Sequence, residues 1–149
     1  MNLPPKTFTT LIQHTPLVSI DLIIYNPSHQ ILLGKRRNRP AQGYWFIPGG
    51  RIFKDETQAQ AFQRISQAEI GLTLNIQDSE LIGSFDHIYP DNVFGTDFST
   101  HYVALGRKLY LASAQIQLPK EQHDSYCWLT EEALLNHPDV HPNVKLYFQ

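Results

Sequence analysis

GRIFKDETQAQAFQRISQAEIGL, residues 50–72, has the layout of a loop, a helix and a second loop. Asp55 is a good helix N-cap, and Gln58 follows three residues later as in a capping box. From Glu56 to Ile70 the positions Ala59, Phe62, Ile65 and Ser66 recur on one face at helical spacing. Gly71 then ends the helix in the left-handed conformation that favours glycine. Upstream, the short strand Trp45–Ile47 stops at Pro48-Gly49-Gly50, where glycine lets backbone approach a ligand closely. Two glutamates bracket the helix, and Glu69 is the only carboxylate between Arg64 and Leu72.

Working outward, Leu17–Tyr25 is β-branched and apolar and predicts a buried strand, with Asp21 inside it. The turn 26–29 returns the chain into Gln30–Lys35, the second arm of a hairpin, and residues 36–44 form a polar loop. Leu81–Tyr89 and Thr100–Leu111 predict two longer strands around a Gly/Asp/Asn-rich loop at 90–98. Ser125–Leu129 is a further strand, and Thr130 caps a short helix. The N-terminal MNLPPK has no motif. Mixed strands with two or three helices predict an α/β fold, a sheet with helices packed on its faces, as one domain over residues 1–149.

Charged residues make up 17% of the chain and its net charge is −2, which argues against general nucleic-acid or anionic-membrane binding. No apolar run reaches the ~18 residues that span a bilayer, and the first residues lack the apolar core of a signal peptide. The single cysteine, Cys127, sits in the alternating stretch SYCWL and reads as a small core residue, not a nucleophile. A cytoplasmic location is expected.

The polar residues point to phosphate chemistry. Lys35, Arg36, Arg37 and Arg39 form a basic cluster in a slightly acidic chain, and strand alternation puts Lys35 and Arg37 on the face opposite Arg36. Arg51 follows the glycine pair, where its planar fork suits a phosphate. A diphosphate concentrates charge and calls for a cation such as Mg²⁺, which takes hard oxygen ligands and keeps several waters. One glutamate, Glu69, cannot offset the repulsion of two or three divalent ions, so a single Mg²⁺ is expected. Glu56 and Arg64 suit an ion pair that ties the loop to the helix, with Arg64 also available to a phosphate.

The stretch 50–72 resembles the Nudix box, with Gly50, Glu56, Arg64, Glu69, Gly71 and Leu72 on its register. It departs at Ile65, Ser66 and Ala68, where two of the usual metal-binding carboxylates are missing. With TPLVSIDLIIYN, LLGKRRNRPAQGYWFIPGGRI, GTDFSTHYV and LPKEQHDSYCWLT, most of the chain resembles the GDP-mannose mannosyl hydrolase family of the Nudix superfamily, in which those carboxylates are also absent. The resemblance implies an α/β/α sandwich with a mixed sheet and a loop–helix–loop metal site. It implies hydrolysis of GDP-mannose or a related GDP-hexose to GDP and free sugar, with water attacking the anomeric carbon and inverting it.

Carried over residue by residue, the resemblance puts one Mg²⁺ (Mn²⁺ able to replace it) on the Gly49 carbonyl, the Glu69 carboxylate and the Gln122 side-chain oxygen. It makes His123 the general base, Arg51 the group that helps GDP leave, and Asp21 a ligand for sugar or base hydroxyls and amides. Arg36 matches a diphosphate contact, Lys35 or Arg37 orients the water or a phosphate, and His87 and Tyr102 match further substrate contacts. Phe8 and Tyr89 are the aromatic residues available to stack on guanine. A homodimer is implied, with loop 90–98 bordering either the site or the dimer contact. Two rival readings stand beside this one: a conventional Nudix pyrophosphohydrolase cleaving the P–O–P bond, and a nucleotide-sugar-binding domain without catalysis.

Overall fold

The computed structural model describes residues 2–118 and 123–149, with residues 123 and 124 described as backbone only. The chain opens with α1 (Pro5–His14), which the sequence reading left unassigned. Its start is chemically marked: Pro5 occupies a first-turn position, where a missing N–H costs nothing. Strands β1 (Leu17–Tyr25) and β2 (Ile31–Arg36) follow, then β3 (Trp45–Phe46), β4 (Gly49–Arg51) and α2 (Gln58–Ile70). After these come β5 (Glu80–Tyr89), β6 (Thr100–Tyr110), β7 (His123–Leu129), α3 (Glu131–Asn136) and α4 (Pro142–Lys145), which runs into a 3₁₀ turn at Leu146–Phe148.

The strands form a mixed sheet in the order β3-β2-β1-β6-β5, with β4 also paired to β1 and β7 to β2. β1 runs parallel to β6 along its whole length, from Leu17 opposite Tyr102 to Tyr25 opposite Tyr110. Both of its faces are covered from Ser19 onward, which explains its near-continuous apolar sequence. Alternation sorts its side chains. Ile20, Leu22 and Ile24 join Phe62 and Ile65 of α2 in one core, while Ile23 and Tyr25 join Leu134, Val144 and Tyr147 in the other. Two helical layers therefore sandwich one sheet, as expected. Burial of a side chain such as Phe62, with no exposed surface, is worth about 1.5–3 kcal/mol.

The β1–β2 hairpin splays. Its ladder holds only at Tyr25 opposite Ile31, and the segment 45–51 fills the widening gap, bonding first to β2 and then to β1. Gly49–Arg51, expected to be a loop, is therefore a strand, with Gly49 opposite Asp21 and Arg51 opposite Ser19. This wedge brings the glycine pair to the middle of the sheet.

Three further expectations are corrected. The N-cap of α2 is Thr57 and not Asp55, and the capping box is closed by Gln60 and not Gln58. Asp55 has φ 68°, a left-handed turn residue that cannot take the extended backbone of a cap, and Thr57 has it at φ −72°, ψ 161°. The buried face consequently starts at Ala61, and Ala59 is exposed. β7 begins at His123, two residues before the expected start, because its ladder with β2 continues to Arg36. The remaining boundaries agree closely, including the Thr130 cap and the left-handed Gly71 at φ 72°. Cys127 is half-buried, and burial pushes its thiol pKa up, away from nucleophilic use. Among the described residues no helix is long and apolar enough to cross a membrane.

Candidate active site

A cleft opens where β1, β4, β5 and β6 meet the end of β2. Asp21, Arg36, Gly49, Arg51, His87 and Tyr102 all line it, although they are spread over more than eighty residues of sequence. Ser19, Pro40, Phe46, Gly50 and Tyr89 complete its wall. Gly49 cannot be replaced without disruption. A Cβ there would lie 2.4 Å from the Ile20 carbonyl oxygen and 2.5 Å from Asp21 Oδ1. Glycine at this point is thus a requirement of close packing between β4 and β1.

Two buried carboxylates belong to this region: Asp21 lines the cleft, and Glu69 is bonded to the Gly49 backbone. Asp21, 5% exposed, is pushed up to about 7 by burial, against the Tyr147 hydrogen bond and the charge of Arg36. Glu69, also 5% exposed, is pushed up to about 7 by burial, with Arg36 opposing, Asp21 reinforcing and the Gly49 backbone opposing through a hydrogen bond. Arg36 therefore bears on both acids, and the two acids bear on each other. Charge that is costly in the free cleft would be offset by a cation bound there.

His87 is buried, and its Nδ1 lies 3.8 Å from Asp21 Oδ2. Burial, followed by the neighbouring His141, holds it down at about 4, so the ring is neutral at ordinary pH. Its Nε2 makes no hydrogen bond within normal geometry, though the Asn143 backbone lies near the ring. A buried imidazole nitrogen lining a cleft without such a bond is available to a ligand hydroxyl. Tyr89 and Tyr102 stand in the same wall, with burial raising both phenols.

The other sequence candidates lie elsewhere. Arg64 makes a paired contact with Glu56, Nε to Oε2 at 2.7 Å and Nη2 to Oε1 at 2.9 Å, donates to the Arg51 carbonyl, and stacks over Phe53 at 3.6 Å. It works as the tie between loop and helix and does not line the cleft. Lys35 lies over the Trp45 ring, and Arg37 is exposed. Phe8 lines a neighbouring apolar cleft with Phe53, Val93 and Phe94, joined to the first through Arg51, whose guanidinium lies 5.0 Å from the Phe8 ring centre. Gln122 lies outside the described residues. His123 is placed by its backbone alone, opposite Arg36 across the β2–β7 ladder.

One of the two missing box carboxylates is replaced by a packing residue. Ile65 is 1% exposed and packs beneath Gly50, where an added Cβ would meet its Cγ1 at 3.3 Å. Ser66 accepts a hydrogen bond from the Leu74 N–H, and Ala68 is exposed. Among the described residues no three or more His, Cys, Asp or Glu side chains gather as a metal cluster. The donor set here, one buried carboxylate beside a glycine backbone with a second carboxylate close by, fits a single hard cation that keeps waters.

Sequence reasoning missed Ser19, Phe46 and Tyr147. The first two sit in ordinary strand patterns. Tyr147 lies near the C-terminus, with nothing local to link it to Asp21.

Comparison with known proteins agrees with this architecture. Low-salt glycan biosynthesis protein Agl8 of Haloferax volcanii is 36% identical over 117 residues, covering 78% of this chain and 72% of that protein. The MutT protein of Methanosarcina mazei superposes with a TM-score of 0.73 at 21% identity, covering 91% of this chain and 92% of that one. The Nudix domain of Shewanella oneidensis NrtR, solved in complex with ADP ribose, gives 0.66 at 19%, covering 99% and 90%. The NUDIX domain model matches residues 15–149, and the chain belongs to that family.

Proposed function

We propose that this protein hydrolyses a nucleoside diphosphate sugar, GDP-mannose or a related GDP-hexose, at the glycosyl bond. One observation carries the reading: a single cleft joins a phosphate end, with Arg36, Arg51 and Gly49, whose backbone bonds the buried Glu69, to a hydroxyl end made of Asp21 and His87. Similarity to a glycan biosynthesis protein supports a sugar-bearing substrate. The use of Ile65 for packing supports a site with few metal carboxylates.

In this reading water attacks the anomeric carbon from the face opposite the leaving group. A water O–C1 bond forms, the C1–O bond breaks, and its electron pair departs on the β-phosphate of GDP. The water's proton passes to His123, whose backbone stands opposite Arg36. Arg51 and Arg36 neutralise the departing phosphate, and Asp21 and the neutral His87 hold sugar hydroxyls. Glu69, the Gly49 carbonyl and Gln122 would hold one Mg²⁺, with Mn²⁺ able to replace it. When bound, the ion supplies charge neutralisation at the diphosphate. Lys35 or Arg37 orients the water or a phosphate, Arg64 is within the same loop–helix unit, and Phe8 and Tyr102 complete the substrate contacts. The working form is a homodimer in the cytoplasm.

The test is hydrolysis of GDP-mannose with Mg²⁺ in ¹⁸O-labelled water, with products identified by mass. GDP and labelled mannose are expected. GMP and mannose phosphate with label on phosphate would make the protein a pyrophosphohydrolase, and binding without turnover would make it a sensor.

A further inference from the structure

The hydroxyl end of the cleft is held from behind by a residue that does not line it. Tyr147 sits in the 3₁₀ turn after α4, on the second core face of the sheet, and is buried. Its hydroxyl donates to Asp21 Oδ2 at 2.6 Å, across 126 residues of chain. The ring reaches this depth because β6 carries a glycine at the position beside Asp21. Gly106 is the direct register partner of Asp21, and a Cβ there would lie 2.5 Å from Tyr147 Cε1. Phe85 meets the ring edge-on at 4.7 Å between centroids, and His87 does so at 5.3 Å. The tyrosine is thus clamped, and its hydroxyl has a fixed address.

The two oxygens of Asp21 are divided by this arrangement. Oδ2 is taken by Tyr147, and Oδ1 points toward Gly49, only 2.5 Å from where a Cβ at that glycine would stand. A free carboxylate on a strand could rotate and offer either oxygen. With Oδ2 tethered on the His87 side, Oδ1 is the acceptor left on the Gly49 side of the cleft wall. Fixed acceptors discriminate between hydroxyl configurations, because a misplaced hydroxyl leaves a buried polar group unpaired.

We infer that Tyr147 is a positioning residue that orients the Asp21 carboxylate for recognition of the glycosyl half of the substrate, with Gly106 making room for it. This rests on the glycosyl-hydrolysis reading above. A tyrosine that only filled the core would affect every ligand alike. A tyrosine that orients Asp21 affects the sugar and spares the nucleotide.

The experiment compares the full-length protein with Tyr147→Phe, which keeps the ring and removes the hydroxyl. kcat and KM for GDP-mannose are measured with Mg²⁺, together with the inhibition constant of GDP. The expected result is a fall in kcat/KM of about tenfold or more, the scale of one hydrogen bond to a charged group, with GDP inhibition unchanged. In an Asp21→Asn background the same substitution should add little, since the two residues act as a unit. Unchanged kcat/KM, equal loss for GDP, or full additivity with Asp21→Asn would each overturn the assignment. Should Tyr147→Phe fail to fold, Gly106→Ala displaces the ring and is read by the same ratio. Wild-type protein that binds GDP without releasing mannose sinks the proposed function and this role together. A normally active wild type with an equally active Tyr147→Phe sinks this role alone.

Discussion

The loop–helix–loop holds two glutamates with opposite fates. Glu56, just before α2, is partly exposed and gripped by the Arg64 guanidinium, which holds its carboxyl below the usual range. Glu69, near the other end of the helix, is buried against the Gly49 backbone, and burial drives its carboxyl up to about 7. The first has its countercharge built in. The second has Arg36 as a partial offset and a like charge, Asp21, nearby. A carboxylate whose burial is left uncompensated by protein groups is the one available to a ligand or an ion, and one already paired is there to hold the loop in place.

Substituting each in turn should separate the two ends. Glu69→Gln is expected to lower kcat by roughly a hundredfold or more and to abolish the response to Mg²⁺, the scale of losing several kcal/mol of charge stabilisation. Its melting temperature without metal should not fall, because the change removes a buried charge cost. Full activity with an unchanged Mg²⁺ requirement would move the metal elsewhere and erase the contrast.

Acid should reach His87 before the helix tie. His87 has a folded pKa of about 4 against 6.5 for an ordinary histidine, so its stabilising effect is complete above 6.5 and is lost as pH falls from 6.5 toward 4. The loss amounts to up to about 3 kcal/mol. The Glu56 pair has the opposite kind of group, a depressed carboxyl. Its contribution is present above about 4.5 and disappears only as pH falls through the lower folded value. Asp21 and Glu69, both raised, give stability that declines as pH rises toward 7. The difference in denaturation midpoint between wild type and His87→Gln therefore isolates the histidine. If that difference does not change between pH 7 and 5, the burial argument for His87 fails.

Glu56→Gln is expected to cost about 1–2 kcal/mol, between the values for exposed and buried pairs, as fits side-chain exposures of 18% and 34%. Urea denaturation measures it, and the Mg²⁺ requirement should remain. An altered metal response in this variant would mean that the two ends are not independent. The smallest effect concerns the cap: Thr57→Ala should cost about 1 kcal/mol. Asp55→Ala should stay within about 0.5 kcal/mol, since Asp55 is exposed and bonds only Lys54 among the contacts described. Equal losses would restore Asp55 as the cap.

Much of this molecule is legible along the chain. The near-continuous apolar run of Leu17–Tyr25, the apolar spacing of Phe62 and Ile65, and the stop at Gly71 each follow from a local pattern or backbone preference, so the sandwich could be read from short windows. The register of the box was also local, which singled out Glu56, Arg64 and Glu69 before any fold was known. Errors arose where neighbouring residues offered similar local chemistry. Asp55 and Thr57 are both good caps two residues apart, and only the left-handed turn at Asp55 decides between them. Gly49–Arg51 has no strand signal, and it becomes one because the splayed hairpin leaves a gap that backbone must fill.

Sequence alone determined the Nudix family and the fold class and singled out the candidate site residues, since these depend on period, spacing and side-chain identity. The tertiary structure decided which of the basic residues enter the cleft, that Arg64 serves the loop, and that Asp21 and Glu69 are buried near one another with raised pKa values. It also joined Tyr147 to Asp21 and set Gly106 between them. These facts depend on burial and on contacts between residues that the fold brings together, up to 126 apart for Tyr147 and Asp21, and desolvation and distance are properties of the folded chain that no local window contains.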